Sequence, residues 1–305
     1  RIIVLSVAVS CLPTVLGKAQ LAQDGRSVGL LADPNYFALL IVVATPLALL
    51  LLRQERHRLV QLFWLIPLGI MAAGLMKTES RSAIVVLLLV LSALGWHYRH
   101  SLRRIQPRHL GLVFVAGALA FPIALAVMPK SFIERLESLT ALASGVRAYE
   151  DGSLGRRASY LFVGAQMLKA NPVLGAGPGT FPVFYAHTGY AVAFSYSKNN
   201  PDLFRRAHNT YLEVISETGI AGTLTFGTVI LLALLNFHRA RRLAQSLGDR
   251  ADAEQITHFG LAFLALVLFL MFLSAPDHKY LWIMLALSGI LRQTRQYRVE
   301  QERMP

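Results

Sequence analysis

The sequence predicts an all-α integral membrane protein with about eight transmembrane helices and one large external loop. Of its 305 residues, 54% are hydrophobic and only 15% are charged, whereas a soluble globular chain carries about a quarter charged residues. The apolar residues are gathered in blocks of roughly 17–25, the length that crosses a hydrocarbon core about 30 Å thick. In lipid, a single segment satisfies its backbone hydrogen bonds only as a helix.

The first span opens the chain, since the apolar run begins directly at Arg1. We therefore interpret the sequence as the carboxy-terminal portion of a longer protein. A signal peptide is the alternative for residues 1–17, but that run has no clear small-residue cleavage site. The single cysteine, Cys11, excludes an internal disulfide and a cysteine zinc site, and we expect it to be a buried thiol. The predicted spans cover residues 1–17, 36–52, 60–76, 83–98, 110–128, 214–237, 257–274 and 279–291.

The distribution of basic residues predicts the orientation. In the short connections, 16 Lys and Arg residues fall on one side of the membrane and 5 on the other. Short basic loops stay in the cytoplasm, so the long segment 129–213 is expected outside, in the periplasm of a Gram-negative cell. This distribution also argues against nucleic acid as the partner of a chain with net charge +13. The chain then divides into helices 1–128, a periplasmic loop 129–213 that carries the active-site residues, and helices with a cytoplasmic tail in 214–305.

The external loop contains one predicted amphipathic helix, over roughly 154–169. Ser153 is its expected cap, and Asn171-Pro172 is expected to end it. An apolar stripe at helical spacing predicts that the helix lies on the membrane or packs on the bundle. The stripe consists of Leu154, Ala158, Leu161, Ala165 and Leu168.

Three outward-facing clusters are candidates for chemistry. Arg81 lies at the outer mouth of a span, where a structural arginine that reaches the membrane interface is the alternative. At about 100° per residue, Arg157 falls beside the apolar stripe, and Arg156 is expected to point away into solvent. His208 lies in the segment 207–222 that enters the sixth span, and a structural histidine is the alternative there.

Other polar residues have simpler interpretations. Glu213 and Glu217 lie on a different face of the sixth span from His208, so neither is expected to orient it. The run LGAGPGTF (174–181) lacks the Lys-Ser/Thr ending of a phosphate-binding loop, so we interpret it as a tight turn. His187 is expected to be solvated, and Asp33-Pro34-Asn35 is expected to end a loop and cap the second span.

The order of these clusters resembles that of the bacterial O-antigen ligase and polymerase family of glycan transferases. The resemblance covers about residues 31–235. The matching pieces are LADPNYFALL (31–40), Ser80-Arg81-Ser82, Arg156-Arg157, NPVLGAGPGTF (171–181), His208-Asn209 and Glu217-Thr218-Gly219.

The resemblance implies a GT-C-like enzyme of the bacterial inner membrane that works without a metal or other cofactor. Its donor would be a glycan on undecaprenyl pyrophosphate, and its acceptor a hydroxyl of a glycolipid, a growing glycan or a protein. Arginines suit the pyrophosphate, which assigns Arg81, Arg157 and Arg156 to donor binding. Histidine suits a general base near neutral pH, which assigns that role to His208, supported by Asn209 and Glu217.

Two other classes of function remain open. An anion transporter usually places ionisable groups near the membrane midplane, and the predicted span centres are nearly free of charge. A structural membrane subunit would bind a partner through the external loop and would tolerate changes at Arg81 and His208. Within the family, ligase, polymerase and protein O-oligosaccharyltransferase differ in the acceptor, which the sequence does not identify.

Overall fold

The computed structural model describes residues 1–22, 25–31, 33–102, 152–195 and 203–304. The described residues are mainly helical and belong to two compact units, Arg1–Leu139 and Thr140–Pro305. Each unit is described by itself.

Unit 1 is a group of apolar helices with one short hairpin. Its elements are α1 (Ile2–Val15), β1 (Gln20–Leu21), β2 (Ser27–Gly29), α2 (Pro34–Gln54), α3 (Arg58–Phe63), α4 (Leu65–Thr78), α5 (Arg81–His97) and α6 (Arg99–Leu102). The antiparallel pair β1–β2 is a small addition to a mainly helical structure, which is consistent with the predicted all-α class. The connection after α1 is too polar to stay in lipid, and a hairpin pairs its backbone groups instead.

The predicted start of α2 is confirmed. The Asp33 carboxylate accepts the backbone N–H groups of Asn35 and Tyr36, and Pro34 occupies the first turn, where its missing N–H costs nothing. Cys11 is fully buried, as expected. It packs against Gly74 of α4, where an added Cβ would lie 2.9 Å from the Cys11 sulfur, so glycine allows α1 and α4 to pack closely.

The described part of unit 2 combines two short helices with four longer ones. Its elements are α7 (Gly152–Ala170), α8 (Phe181–Ala186), α9 (Gly189–Ala193), α10 (Thr210–Ser246), α11 (Arg250–Phe269) and α12 (Lys279–Arg303). α10 packs against α11, α12 and α7. The sixth predicted span lies on α10, which begins at Thr210. The seventh predicted span lies on α11, which begins at Arg250 and ends at Phe269, before the predicted end at 274.

Four stretches in the described part of the chain are long and apolar enough to cross a membrane: Pro34–Gln54, Arg58–Thr78, Thr210–Ser246 and Arg250–Phe269. Helices α1 and α5 are apolar but shorter. The predicted span 110–128 lies outside the described residues, and the predicted span 279–291 begins α12, which continues into a charged stretch. Membrane insertion through several helices is therefore supported, and the number eight stays a prediction.

The loop helix α7 is longer than predicted and faces the other way. It begins at Gly152, so Ser153 lies within it, and it ends before Asn171-Pro172 as expected. Its buried side carries Tyr160, Val163 and Met167. Of the two predicted arrangements, packing of the stripe on the bundle is wrong, because Leu161 is 56% exposed and Ala165 is also exposed. Contact of the stripe with the membrane stays a prediction. The orientation of α7 is set by contacts of aromatic residues and glycine. A pattern of aliphatic residues does not predict these contacts.

Candidate functional site

The site is built around a break in α10. Gly219 has φ +63° and ψ −163°, a conformation that is essentially restricted to glycine. The break separates the beginning of α10, which follows His208, from the long apolar part of the same helix. It leaves the carbonyls of Ser216 and Glu217 and the N–H groups of Ile220 and Ala221 without their usual helical partners.

The glycine-rich run and the two residues before it supply all four missing partners. The N–H groups of Ala176 and Gly177 donate to the carbonyls of Ser216 and Glu217 at 3.0 and 2.8 Å. In the other direction, the N–H groups of Ile220 and Ala221 donate to the carbonyls of Pro172 and Val173 at 2.9 and 3.2 Å. The run is therefore more than the tight turn predicted from its sequence, because it completes the hydrogen bonding of a broken helix.

Glycine is required on both sides of this junction. A Cβ on Gly175 would lie 2.3 Å from the backbone carbon of Glu217, and a Cβ on Gly219 would lie 2.3 Å from the carbonyl oxygen of Val173. Both residues also have positive φ. The two backbones approach too closely for any side chain, which explains physically why Leu-Gly-x-Gly and Glu-x-Gly occur together in this chain.

The Glu217 side chain closes the same junction. One carboxylate oxygen accepts the N–H of Gly179 at 2.8 Å, and the other accepts the N–H of Phe181 at 2.9 Å. Glu217 is only 6% exposed, and these bonds to backbone donors compensate for burying its charge. As expected, Glu217 does not contact His208 in the described hydrogen bonds, and its geometry is that of a clamp on the loop.

His208 lies beside an aromatic cluster formed by α7 and α8. Its ring stacks on Tyr160, with centroids 5.9 Å apart and planes 28° apart. Tyr160 in turn contacts Tyr185 at 4.9 Å and Phe181 at 6.3 Å. Gly164 allows this packing, because an added Cβ would lie 2.6 Å from a Leu212 methyl group on α10. Helix α7 thus comes close enough to α10 for Tyr160 to reach the imidazole.

The backbone at His208 is held in a strained conformation. Its φ is +47°, which costs a residue other than glycine about 1–3 kcal/mol. Asn209 caps α10 by accepting the N–H groups of Tyr211 and Leu212, consistent with a supporting role. On the other side, the buried Glu213 accepts the N–H of Ala207 at 3.2 Å, so anchors on both sides of His208 fix its orientation.

A second set of contacts ties this segment to the end of α11. Glu213 pairs with Arg206, whose Nε lies 2.9 Å from the carboxylate, and Arg206 also reaches Asp277 at 3.4 Å. The Thr210 N–H donates to the Leu270 carbonyl, and the Thr210 hydroxyl accepts the N–H of Ala275 at 2.9 Å. Glu213 and Glu217, the two acidic residues near the start of α10, are therefore both engaged by backbone or arginine donors.

The arginines of α7 are arranged differently from the prediction. Arg156 is half-buried on the side of α7 that carries Tyr160, and its charge acts on the phenols of Tyr160 and Tyr185. The prediction that Arg156 points away into solvent is therefore wrong, because it followed from the misassigned apolar stripe. Arg157 points toward the segment after α11, with its guanidinium carbon 5.8 Å from the centre of the Phe272 ring.

Arg205 is a residue of this site that the sequence analysis missed. It is only 6% exposed, its Nη1 donates to the Phe194 carbonyl at 2.8 Å, and its charge also acts on Tyr160. The one signal in the sequence is its position three residues before His208, in a basic pair that is otherwise typical of a solvated surface. Arg156 and Arg205 together make the surroundings of the Tyr160 ring cationic.

The phenols of the cluster remain protonated. Burial raises the pKa of Tyr160 to about 12, against the opposing effect of the nearby arginines. Burial also raises the pKa of Tyr185, whose hydroxyl lies 2.9 Å from the Ser159 hydroxyl. Neutral phenols are poor proton acceptors near pH 7, which leaves the imidazole of His208 as the group of this cluster suited to accept a proton.

Arg81 lies in unit 1, at the first position of α5. Ser80 caps this helix by accepting the N–H of Ala83. The Ser80 hydroxyl also donates to the Asn35 side chain at 3.0 Å and lies 3.1 Å from the Ser82 hydroxyl. The two sequence pieces around Asn35 and Arg81 therefore meet within unit 1, and the half-buried Arg81 follows directly on this polar cluster.

The remaining questions are the position of His187 and whether the described residues could hold a metal ion. His187 is exposed, as expected, with its Nδ1 2.7 Å from the Val183 carbonyl oxygen. Among the described residues, no three His, Cys, Asp or Glu side chains are grouped in a way that could hold a metal ion.

Comparison with known protein families identifies this chain's family. A family model described as O-antigen ligase matches residues 66–227, which is more than half of the chain. This range includes Arg81, the glycine-rich run, His208 and Gly219. No curated protein matches the chain significantly.

Proposed function

The chain belongs to the O-antigen ligase family, and from this premise we propose that it transfers a glycan from undecaprenyl pyrophosphate to an acceptor hydroxyl. Glycan transfer at a membrane follows from the family. The lipid carrier, the periplasmic face of the inner membrane and the residue roles below are the proposal. The acceptor is a hydroxyl of a glycolipid, a growing polymer or a protein, and ligase activity toward a glycolipid is the form that we favour.

The observation that carries the proposal is the position of His208. Its ring stacks on Tyr160, and the charges of Arg156 and Arg205 act on the same phenol. A group suited to accept a proton therefore lies next to a cluster of guanidinium groups. This combination fits a reaction in which a hydroxyl must lose a proton while a pyrophosphate leaves.

The proposed step balances as a substitution at the anomeric carbon of the donor. The acceptor oxygen forms a bond to that carbon, and the bond from the carbon to the phosphate oxygen breaks. His208 takes the acceptor proton, and undecaprenyl pyrophosphate leaves with the bonding electron pair. Guanidinium groups stabilise the charge that develops on the leaving phosphate. The proposal uses no metal ion.

Arg156, Arg157 and Arg205 are the proposed donor-binding residues in unit 2. Arg156 and Arg157 come from α7 and Arg205 from the segment before α10, and guanidinium groups can donate paired hydrogen bonds to pyrophosphate oxygens. Arg81 is proposed as a donor-binding residue on the resemblance of Ser80-Arg81-Ser82 alone. Asn209 and Glu217 support His208 indirectly, the first by capping α10 and the second by holding the glycine-rich run.

The test is to measure donor binding and single-turnover transfer on the same purified samples. We expect His208→Ala to leave donor binding nearly unchanged and to lower transfer about 10²–10⁴-fold, the usual contribution of a general base. Arg156→Ala and Arg157→Ala each lose charge-assisted hydrogen bonds worth about 1.5–3 kcal/mol, or about ten- to a hundred-fold in donor affinity. Arg81→Ala is expected to weaken donor binding in the same way.

Matched controls come from the same unit. His187→Ala removes an exposed imidazole, and Lys169→Ala removes an exposed cation at the end of α7; neither is expected to change binding or transfer. A chelator is also expected to leave the transfer rate unchanged. If His208→Ala lost donor binding with transfer unchanged at saturation, His208 would be a donor ligand, and the proposed base would be wrong.

A further inference from the structure

A second basic site lies far along α10 from the break at Gly219. The packed helices α10 and α12 leave an open groove between them near their carboxy-terminal ends. The groove is lined by Arg239, Arg242, Leu243, Arg292 and Gln296. On α10, the spacing of three and four residues puts the lining side chains on one face, and on α12 a spacing of four does the same.

The positive charge of this groove is not neutralised by the acidic residues nearby. Arg292 donates to the side-chain oxygen of Asn236 at 3.2 Å, and a neutral amide positions the guanidinium without cancelling its charge. Asp252 is engaged by Arg295 through two hydrogen bonds. Within the described parts of the chain, Arg239, Arg242 and Arg292 form no ion pair. Glu300, which is not among the residues that line the groove, accepts a hydrogen bond from Gln296.

The groove also lies where the apolar surface of its two helices ends. One to two turns earlier on α10, Leu231, Leu232 and Leu235 are exposed, and on α12 Ile290 is 59% exposed. Beyond this level both helices carry mainly polar and charged side chains. In a membrane-spanning helix, such a boundary marks the level of the lipid headgroups, where arginines are typically placed.

We propose that this groove binds the phosphodiester headgroup of an anionic phospholipid from the surrounding leaflet. Three guanidinium groups attract the single negative charge of a phosphodiester and provide donors for its oxygens. The exposed leucines beside the groove provide an apolar surface for the acyl chains. Basic pockets between transmembrane helices at the headgroup level are suited to such lipids. The proposal is independent of the transfer reaction, since none of these residues belongs to the site at His208.

The experiment titrates the purified full chain with phosphatidylglycerol and with phosphatidylcholine and counts the bound lipids by native mass spectrometry. We expect one saturable phosphatidylglycerol and no equivalent phosphatidylcholine. Near a membrane surface, each arginine contributes about 1 kcal/mol to anionic lipid binding, or about five-fold in affinity. The double variant Arg239→Gln/Arg242→Gln is therefore expected to weaken phosphatidylglycerol binding about 25-fold. Both residues are exposed, so the variant is expected to fold.

The matched control is Arg250→Gln/Arg298→Gln, which removes the same charge from exposed positions outside the groove. It is expected to change the affinity less than about three-fold, because it removes only distant, screened charges. Equal losses in the two double variants would overturn the proposal in favour of general surface charge. Full displacement of the lipid by millimolar inorganic phosphate would also overturn it, because the groove would then select free phosphate.

Discussion

The role of Glu217 gives the most discriminating prediction. Its two carboxylate oxygens accept the backbone N–H of the exposed Gly179 at 2.8 Å and that of the buried Phe181 at 2.9 Å. In Glu217→Gln, only one side-chain atom remains an acceptor, and the new NH₂ group faces the other N–H. The variant therefore loses one charge-assisted hydrogen bond, worth about 1.5–3 kcal/mol, and keeps the other only as a neutral bond, worth about 0.5–1.5 kcal/mol. We expect the amide oxygen to stay on the buried Phe181 N–H and the NH₂ group to face the exposed Gly179.

Allowing for relaxation of the loop, we expect Glu217→Gln to lower the free energy of unfolding by roughly 2–4 kcal/mol. The loss should be local, because the clamp holds the glycine-rich run against the break in α10. Thermal unfolding in detergent measures the overall effect. Amide hydrogen exchange of Ala176, Gly177 and Ile220 measures the release of the junction, since these amides cross it. We expect their protection to fall the most.

The matched control is Glu300→Gln, which removes an exposed carboxylate from α12 and is expected to change the stability by less than about 0.5 kcal/mol. Transfer by Glu217→Gln is expected to fall only as far as the junction loosens, and to recover partly at lower temperature. A variant with unchanged stability and exchange but abolished transfer would contradict the clamp. Glu217 would then act in the chemistry itself.

Two further predictions concern the break and the topology. Gly219→Ala forces a Cβ to within 2.3 Å of the Val173 carbonyl oxygen, in a backbone conformation that costs about 1–3 kcal/mol in other residues. We therefore expect lower thermal stability and loss of transfer. The control Gly227→Ala lies in open space on the same helix and is expected to be neutral in both assays. A cysteine at Asn199 is expected to react with an impermeant thiol reagent on cells with a permeabilised outer membrane, and a cysteine at Ser246 is not. The reverse labelling pattern would refute the periplasmic orientation.

Much of the fold could be predicted from the sequence alone. The apolar blocks, the cap at Asp33 and the stop at Asn171-Pro172 were predictable because they follow local rules of length, hydropathy and capping. The face of α7 was not predictable in the same way. Leu161 fits an aliphatic stripe, yet Tyr160 faces the protein, because Gly164 admits Leu212 and Phe181 and Tyr185 surround the phenol.

The residues of the candidate site also include some that the sequence identified and one that it missed. His208, Arg157 and Arg81 were identified because the order of their motifs resembles a family, and order is a property of the sequence. Arg205 was missed because a basic pair in a loop is normally solvated, and only the packing of the chain shows that its guanidinium is buried beside Tyr160.

Composition and motif order were enough to predict that this chain inserts into a membrane and that it belongs to a family of glycan transferases. Both conclusions depend on composition and order along the chain, which lipid thickness and motif spacing constrain directly. The tertiary structure alone decided that α10 breaks at Gly219, that residues 172–177 complete its hydrogen bonds, and that Glu217 holds the loop. These contacts join backbone groups about forty residues apart, and no local pattern specifies which distant amide will satisfy a given carbonyl.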